Sequence, residues 1–394
     1  MSITKTVLKR TNLRAYPTKA QEAVLTQAFG NSRFVWNYYT SIFNNKDIPN
    51  KDKIYPTIKE LKEINGFDFL KLSPSCCQQQ TIRRFQETIK QFFNKKRKER
   101  IGPPKFKKKG VSKDSIAFSG SGIYETKAKD GIKLVGLGKL KLRGEIDLNS
   151  FSRQQIKSIT ISKDSCGHYY ASICYEVVIE ITERDFKLGD KNKSIGLDLG
   201  LTHFLINSQG EKINNPRFLR NELEKLKFLD RCLSRKKKNS NSYKKTKLKR
   251  AKLFKKITNK RNYFFHCVSK ELINKFDFIY IEDLSVKNMI KNRKLSRAIQ
   301  DTSWSRFVSI LSYKCDWYGV SLHKINKWFA SSKTCSECGY QIDKLDLSIR
   351  EWQCSDCGSI HDRDINAAIN ILKRGEFEIL QTQNKRLSKG VCLT

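Results

Sequence analysis

The spacing of apolar positions changes several times along the chain, and each change marks an element. Residues 3–16 read as extended. Tyr16-Pro17-Thr18 then opens a helical pattern: Thr18 is placed to cap, Gln21 three residues on completes a capping box, and Val24, Leu25, Ala28 and Phe29 follow at helical spacing. Gly30 is expected to break this run ahead of Arg33-Phe34-Val35-Trp36-Asn37-Tyr38-Tyr39. A second helix is predicted from about Gln78 to Arg100, with Ile82, Phe85, Ile89, Phe92 and Phe93 on one side and a stop at Gly102-Pro103-Pro104. Both stretches interleave aromatics with Arg and Lys, which suits a nucleic-acid groove, although such a stripe is more often plain core.

From about 106 to 181 the period falls to two. Short alternating runs at 115–118, 132–134, 139–142, 156–161 and 169–174, separated by glycine turns, predict antiparallel strands. A compact β-barrel or small sheet, interrupted early by the helical segment, is the economical architecture. Residues 187–193 read as a linker. Further on, 194–200 and 276–284 are predicted strands, 202–213 a hairpin turning at Ser208-Gln209-Gly210, and 361–372 a helix.

Charge narrows the partner. Of 394 residues, 78 are Lys or Arg and 39 Asp or Glu, a net charge of +39 spread over the whole length, while 38% hydrophobic residues leave enough for packed cores. Such an excess points to a polyanion, and nucleic acid fits it better than acidic lipid. The densest stretch, 231–262, holds 15 Lys or Arg and no acid. It is either a solvated helix face or, since unpaired like charges repel, a surface completed by a polyanion. No window approaches a membrane span, and the amino terminus lacks a signal-like apolar core, so a cytoplasmic protein is expected.

Four of the twelve cysteines are grouped: Cys335-Ser-Glu-Cys338 and Cys354-Ser-Asp-Cys357, each closed by a glycine, form C-x2-C-x15-C-x2-C. Four thiolates satisfy tetrahedral Zn(II) and leave no open position, so a structural rather than catalytic zinc is expected. The other eight (Cys76, Cys77, Cys166, Cys174, Cys232, Cys267, Cys315 and Cys392) lack ligand spacing and read as small hydrophobes.

Three carboxylates stand out. In Ser194-Ile-Gly-Leu-Asp-Leu-Gly200, Gly196, Asp198 and Gly200 share the face opposite Ile195, Leu197 and Leu199, which leaves room for a cation beside Asp198. The apolar strand Phe276–Leu284 ends in Glu282 and Asp283, which point to opposite faces; one is a candidate ligand, or both are an ordinary polar strand end. In His361–Leu372, Asp364 shares a face with Ala367, Ala368 and Ile371, whose small residues let the helix approach a sheet; Asp362 or Asp364 is equally readable as an N-cap. Acids from two strands and a helix converging on one spot suit two-metal phosphodiester hydrolysis, with two Mg(II) about 3.5–4 Å apart.

Together these motifs resemble the TnpB family of transposon-encoded, RNA-guided DNA endonucleases, related to type V CRISPR effectors. The resemblance rests on GLDLG around Asp198, IEDLSVKNM around Glu282, the paired CxxC knuckles, HDRDINAAINIL, the amino-terminal RAYPTKAQEAVLTQAFGNSRFVWNYY, PPKFKKK and LSRAIQDTSWSRFVSILSYKCDWYG. It covers nearly the whole chain and is weakest over 40–75 and after 373. It implies an α/β plus β-barrel fold class: an RNase H-like (RuvC) nuclease fold split by a zinc ribbon and preceded by a β-rich wedge with a helical insertion. The implied boundaries are wedge 1–16 and 103–187, helical insertion 17–102, nuclease 188–330 and 361–374, zinc ribbon 331–360, and a flexible basic tail 375–394. Carried over by position, Asp198, Glu282 and Asp364 are the catalytic, magnesium-binding acids, and Cys335, Cys338, Cys354 and Cys357 the zinc ligands. Arg350 and Arg363 are placed either to stabilise phosphate charge or as ordinary surface cations. The implied partners are a guide RNA from the transposon end and a double-stranded DNA target beside a short flanking motif, with no membrane. A strand-transfer transposase and a non-cleaving nucleic-acid-binding regulator are the competing readings.

Overall fold

The computed structural model of the chain describes residues 2–47, 49, 53–96, 101–125, 131–144, 152, 154–182, 193–346 and 348–387. The chain divides into two compact units, Thr6–Val178 and Ile179–Thr394 with Met1–Lys5.

In the first unit, β1 (Ser2–Tyr16) leads into α1 (Lys19–Asn44). The capping box forms: Thr18 Oγ1 accepts from Gln21 N at 3.3 Å and Gln21 Oε1 from Thr18 N at 3.0 Å. Gly30 does not break the helix as expected, because Val35 and Tyr39 beyond it are buried in an aromatic cluster that holds the next turns. After α2 (Ile58–Glu63), α3 spans Ser75–Phe93, ending before the expected Arg100. Its stop lies at Asn94, which turns extended and accepts from Lys96 N at 3.0 Å; 97–100 lie outside the described residues. Trp36 and Tyr39 pack edge to face on the buried Phe85 and Phe34 packs so on Phe67, so these aromatics are core, while Phe93 at the end of the stripe is exposed.

The strands β2 (Asp114–Phe118), β3 (Ile123–Glu125), β4 (Gly131–Leu134), β5 (Gly138–Arg143), β6 (Ile156–Lys163) and β7 (Tyr169–Thr182) join β1 in a seven-stranded sheet ordered β2-β6-β7-β1-β5-β4-β3. Its two end strands feed one core, since Ile116 and Phe118 cluster with Ile123, Ile132 and Leu134. The sheet is therefore curled. The end strands are not paired among the described residues, so the expected barrel is not closed. The expected linker at 187–193 lies outside the described residues up to 192.

The second unit is built on β8 (Ser194–Asp198), β9 (His203–Asn207), β10 (Lys212–Asn214), β11 (Phe278–Glu282) and β12 (Ser321–Ile325), ordered β10-β9-β8-β11-β12. β8, β11 and β12 run parallel. Between β10 and β11 lie α4 (Phe218–Asn221), α5 (Leu223–Ser234) and the 35-residue α6 (Asn241–Lys275), which is about 52 Å long. Between β11 and β12 lie α7 (Val286–Met289), α8 (Ser296–Thr302) and α9 (Trp304–Tyr318). Phe265, Leu272, Phe307 and Ile310 from α6 and α9 cover one sheet face with Ile195, Leu197 and Ile281. The short strands β13 (Glu351–Gln353) and β14 (Ile360–Asp362) pair antiparallel and run into α10 (Arg363–Leu387).

α10 covers the other face, and it can do so only because two glycines clear its path. A Cβ on Gly196 would stand 2.1 Å from the Ala368 carbonyl oxygen, and one on Gly375 would stand 2.1 Å from the Tyr280 ring. The helix also corrects the expected flexible tail, because it continues past 374 to Leu387, with Ile379 packed against Phe278, Tyr280 and Ile371. Residues 388–394 lie outside the described residues. We expect Gly196→Ala to destabilise the protein by about 1–3 kcal/mol through overpacking. Gly30→Ala, where nothing stands within 4 Å of the new Cβ, should stabilise it by about 0.5–1 kcal/mol. Thermal unfolding of the two variants provides the comparison.

Candidate metal centres and nucleic-acid surface

Asp198 and Glu282 stand at the carboxyl ends of β8 and β11, adjacent central strands of the second sheet, and Asp364 approaches them from α10. In the parallel β8–β11 register Ile281 lies opposite Leu197, so Glu282 is one position beyond, alongside Asp198. Strand alternation puts Gly196 and Asp198, like Tyr280 and Glu282, on the face that α10 covers. Asp364 is in the first turn of that helix. Asp362, not Asp364, is the cap: its Oδ1 accepts from the backbone N–H of Asp364 and Ile365, both at 3.0 Å, and its Oδ2 takes Lys212 Nζ at 2.5 Å. Asp364 is thereby left free of the capping role and projects toward the strand acids.

Electrostatics reports the convergence. Burial, then the charges of Asp364 and Glu282, push the Asp198 carboxyl up to about 7, against a smaller downward pull from the Leu199 backbone and the Arg363 guanidinium. Burial raises Glu282 as well. A carboxyl whose ionisation is opposed by burial and by two neighbouring acids makes a site that gains from a cation. Arg350 partly supplies one, with Nη1 at 3.3 Å from both Asp364 oxygens. Arg363 does not face the acids with its donors; its Nη1 is spent on the carbonyls of Asp346, at 2.5 Å, and Ile349, at 3.4 Å.

The four thiols of Cys335, Cys338, Cys354 and Cys357 lie within 4.8 Å of one another. Gly339 (φ 81°) and Gly358 (φ 72°) take the left-handed conformation that closes each knuckle. Four thiols at this separation fit a structural zinc ion. Among the described residues theirs is the His/Cys/Asp/Glu group drawn this tightly together; the carboxylates stand farther apart.

Two grooves flank the loop after Asp198. One, of about 480 Å³, is lined by Leu199, Glu282 and Asp283 and by Ser305, Ser309 and Ser312, which follow one face of α9. The other, of about 510 Å³, collects Arg217, Arg220, Arg293, Lys294 and Arg297. None of these five pairs with a carboxylate among the described residues. Asp301 organises this groove from below: its carboxylate accepts from the backbone N–H of Leu219 (3.0 Å) and Arg220 (3.1 Å) and from Arg261 (2.9 Å). Sequence reading missed Asp301 because its partners lie 40 and more residues away. In the acid-free stretch, Arg250 and Lys256 find acids across the helix pair, on Asp230 and Glu222. The Trp328 ring, 80% exposed with Lys327 Nζ 4.8 Å from its centroid, follows Ile325, the register partner of Glu282.

Comparison with known proteins agrees with this architecture. Family models described as "Cas12f1-like, TNB domain", "Probable transposase" and "Helix-turn-helix domain" match residues 304–371, 172–293 and 1–43 respectively. In the last stretch the chain forms the strand β1 and the single helix α1. A solved Cas12f1–sgRNA–target DNA complex contains a chain similar in fold (TM-score 0.53, 12% identity, covering 93% of this chain and 98% of that one). The fold is thus of the mixed α/β class, with a curled sheet, seen in Cas12f effectors. "Putative RNA-guided DNA endonuclease" of Streptomyces pristinaespiralis is 34% identical over 372 residues, covering 92% of this chain and 88% of the relative. "Putative RNA-guided DNA endonuclease InsQ" of Escherichia coli (strain K12) is 30% identical over 380 residues, covering 91% and 90%. The chain belongs to the TnpB/IS605 family.

The raised Asp198 sets a pH dependence. In the unfolded chain this carboxyl titrates near 4. Between about pH 4 and 7 the folded protein therefore holds a proton that the unfolded chain releases, and stability falls as pH rises through that window. In magnesium-free buffer we expect Asp198→Asn to flatten this fall and to unfold at a higher temperature than the wild type at pH 8. Added magnesium should raise the wild-type midpoint at pH 8 and leave that of the variant unchanged.

Proposed function

We propose that the protein is an RNA-guided, magnesium-dependent DNA endonuclease whose single nuclease site comprises Asp198, Glu282 and Asp364. The observation that carries this reading is the convergence of the three acids at the carboxyl ends of the central strands β8 and β11, with Asp198 pushed up to about 7 by burial and by the other two. The names borne by the relatives support the guided activity. In this reading the nuclease segments expected at 188–330 and 361–374 make up an RNase H-like fold split by a zinc ribbon at 331–360.

Two magnesium ions held by the carboxylates would activate the attacking water and stabilise the leaving oxygen of an in-line displacement. The protein's own part is positioning. Asp198 and Glu282 are fixed by adjacent parallel strands and Asp364 by the first turn of a helix whose cap is already satisfied. Arg350 is close enough to Asp364 to exchange that carboxylate for a substrate phosphate as the strand enters. The five unpaired cations of the basic groove hold the backbone of the strand leading to the acids, the serine hydroxyls of α9 donate to its phosphates, and Trp328 offers an unpaired base a stacking surface. The charge of +39 matches in scale the roughly 40 phosphates of a 20-bp guide–target duplex. Zn(II) on the four cysteines is structural, holding the ribbon between β12 and α10.

The test is to purify the protein expressed with its native flanking locus, sequence the RNA that copurifies, and incubate the complex with a plasmid carrying the matching target. Magnesium-dependent cleavage next to a short motif is expected, falling to background in Asp198→Ala, Glu282→Ala and Asp364→Ala. Strand-transfer products formed without RNA would favour a transposase instead, and cleavage unchanged by Asp198→Ala would overturn the site. Charge reversal at Arg217 and Arg293 should slow scission of bound target more than it weakens target binding.

A further inference from the structure

α10 has a second working face. Asn366, Asn370 and Lys373 follow each other at helical spacing, turned away from the sheet and onto the first cysteine knuckle. Asn366 Oδ1 accepts from Ser336 N at 2.9 Å, and its Nδ2 donates to the Thr334 carbonyl at 2.8 Å. Asn370 Nδ2 donates to the carbonyls of Ser331 at 2.8 Å and Thr334 at 2.6 Å, and Lys373 Nζ to that of Ser336. Asn366 and Asn370 are 1% and 4% exposed, so breaking these bonds would strand polar groups away from water. Just before the helix, His361 Nε2 lies 3.0 Å from Cys335 Sγ.

The knuckle that receives these bonds is a short turn with little regular secondary structure. Besides the isolated bridge between Thr334 and Gln341, its backbone is held by Ile342 N donating to the Lys333 carbonyl (3.0 Å), Cys335 N to the Tyr340 carbonyl (2.8 Å) and Gly339 N to the Cys335 carbonyl (3.0 Å), and the ribbon's strands are three residues each. A metal joining the four thiols would tie this turn to the second knuckle, which those local bonds do not do. Asp364 lies two residues before Asn366 on the same helix. We propose that Asn366 and Asn370 are positioning residues that couple the two centres: metal held by the four cysteines shapes the knuckle, the asparagines pass that shape to α10, and Asp364 is thereby set for divalent-cation binding. The inference rests on the reading of the three acids as a divalent-cation site. A merely structural role for the asparagines would lower stability without linking the two sites.

Coupling between sites is reciprocal, so it is measurable in the unaltered chain without nucleic acid. Zinc-loaded full-length protein is challenged with a zinc-binding dye, with and without millimolar magnesium, and manganese affinity is measured by EPR. At equilibrium magnesium is expected to lower the dye's success in competing for zinc, corresponding to a zinc affinity raised about fivefold, a typical coupling magnitude, and Asp198→Ala to abolish that effect. Asn366→Ala and Asn370→Ala, each checked for zinc stoichiometry, should weaken manganese binding by a similar factor and lose the magnesium effect on zinc affinity. Manganese bound in an Asp198-dependent way, with zinc affinity indifferent to magnesium, would overturn the coupling and leave the acid site intact. Manganese binding that ignores Asp198 would remove both. Because the wild-type comparison needs no substitution, a variant that fails to fold does not rescue the proposal.

Discussion

The structure of the second unit turns on the contact between α10 and the middle of the sheet. Helices ordinarily stand off a sheet by the thickness of their side chains, but here Gly196 and Gly375 let backbone and ring meet almost without one. That approach carries Asp364 from far along the sequence to the strand ends where Asp198 and Glu282 emerge from parallel β8 and β11. The same helix, at positions one turn apart, holds the cysteine knuckle. One element thus serves the sheet, the acids and the ribbon, and its interior glycine, normally a liability in a helix, is explained by the Tyr280 ring against it.

Around this contact, charge is sorted rather than spread. Asp198 is placed where burial and the charges of Asp364 and Glu282 oppose its ionisation, which costs stability until a cation arrives. Five cations gather on the other side of the loop after Asp198 without a carboxylate partner among the described residues, and Asp301, which lines the same groove, is consumed by backbone N–H groups and Arg261. Both arrangements are unfavourable alone. Cations beside the carboxylates and phosphates beside the arginines relieve both, which is the electrostatic logic of a nuclease groove.

Much of this was legible where the chemistry is local. The Thr18–Gln21 capping box, the cysteine spacing and the alternation that puts Gly196 beside Asp198 follow from neighbours a few residues apart. The misreadings are tertiary. Gly30 sits inside a helix because the following turns are packed, and α10 outruns its expected end because Ile379 finds a core. Asp362 and Asp364 were indistinguishable as caps until the backbone N–H groups were placed. Asn366 and Asn370 were visible at helical spacing in DINAAIN, but without their partners on the knuckle they read as neutral filler.

The central claim is that Asp198, Glu282 and Asp364 form one divalent-cation site. The most direct measurement is anomalous diffraction from crystals of the protein soaked in manganese. The account predicts manganese density among these three carboxylates and its loss in Asp198→Ala. Manganese ordered elsewhere on the molecule, with the three acids left empty, would contradict it.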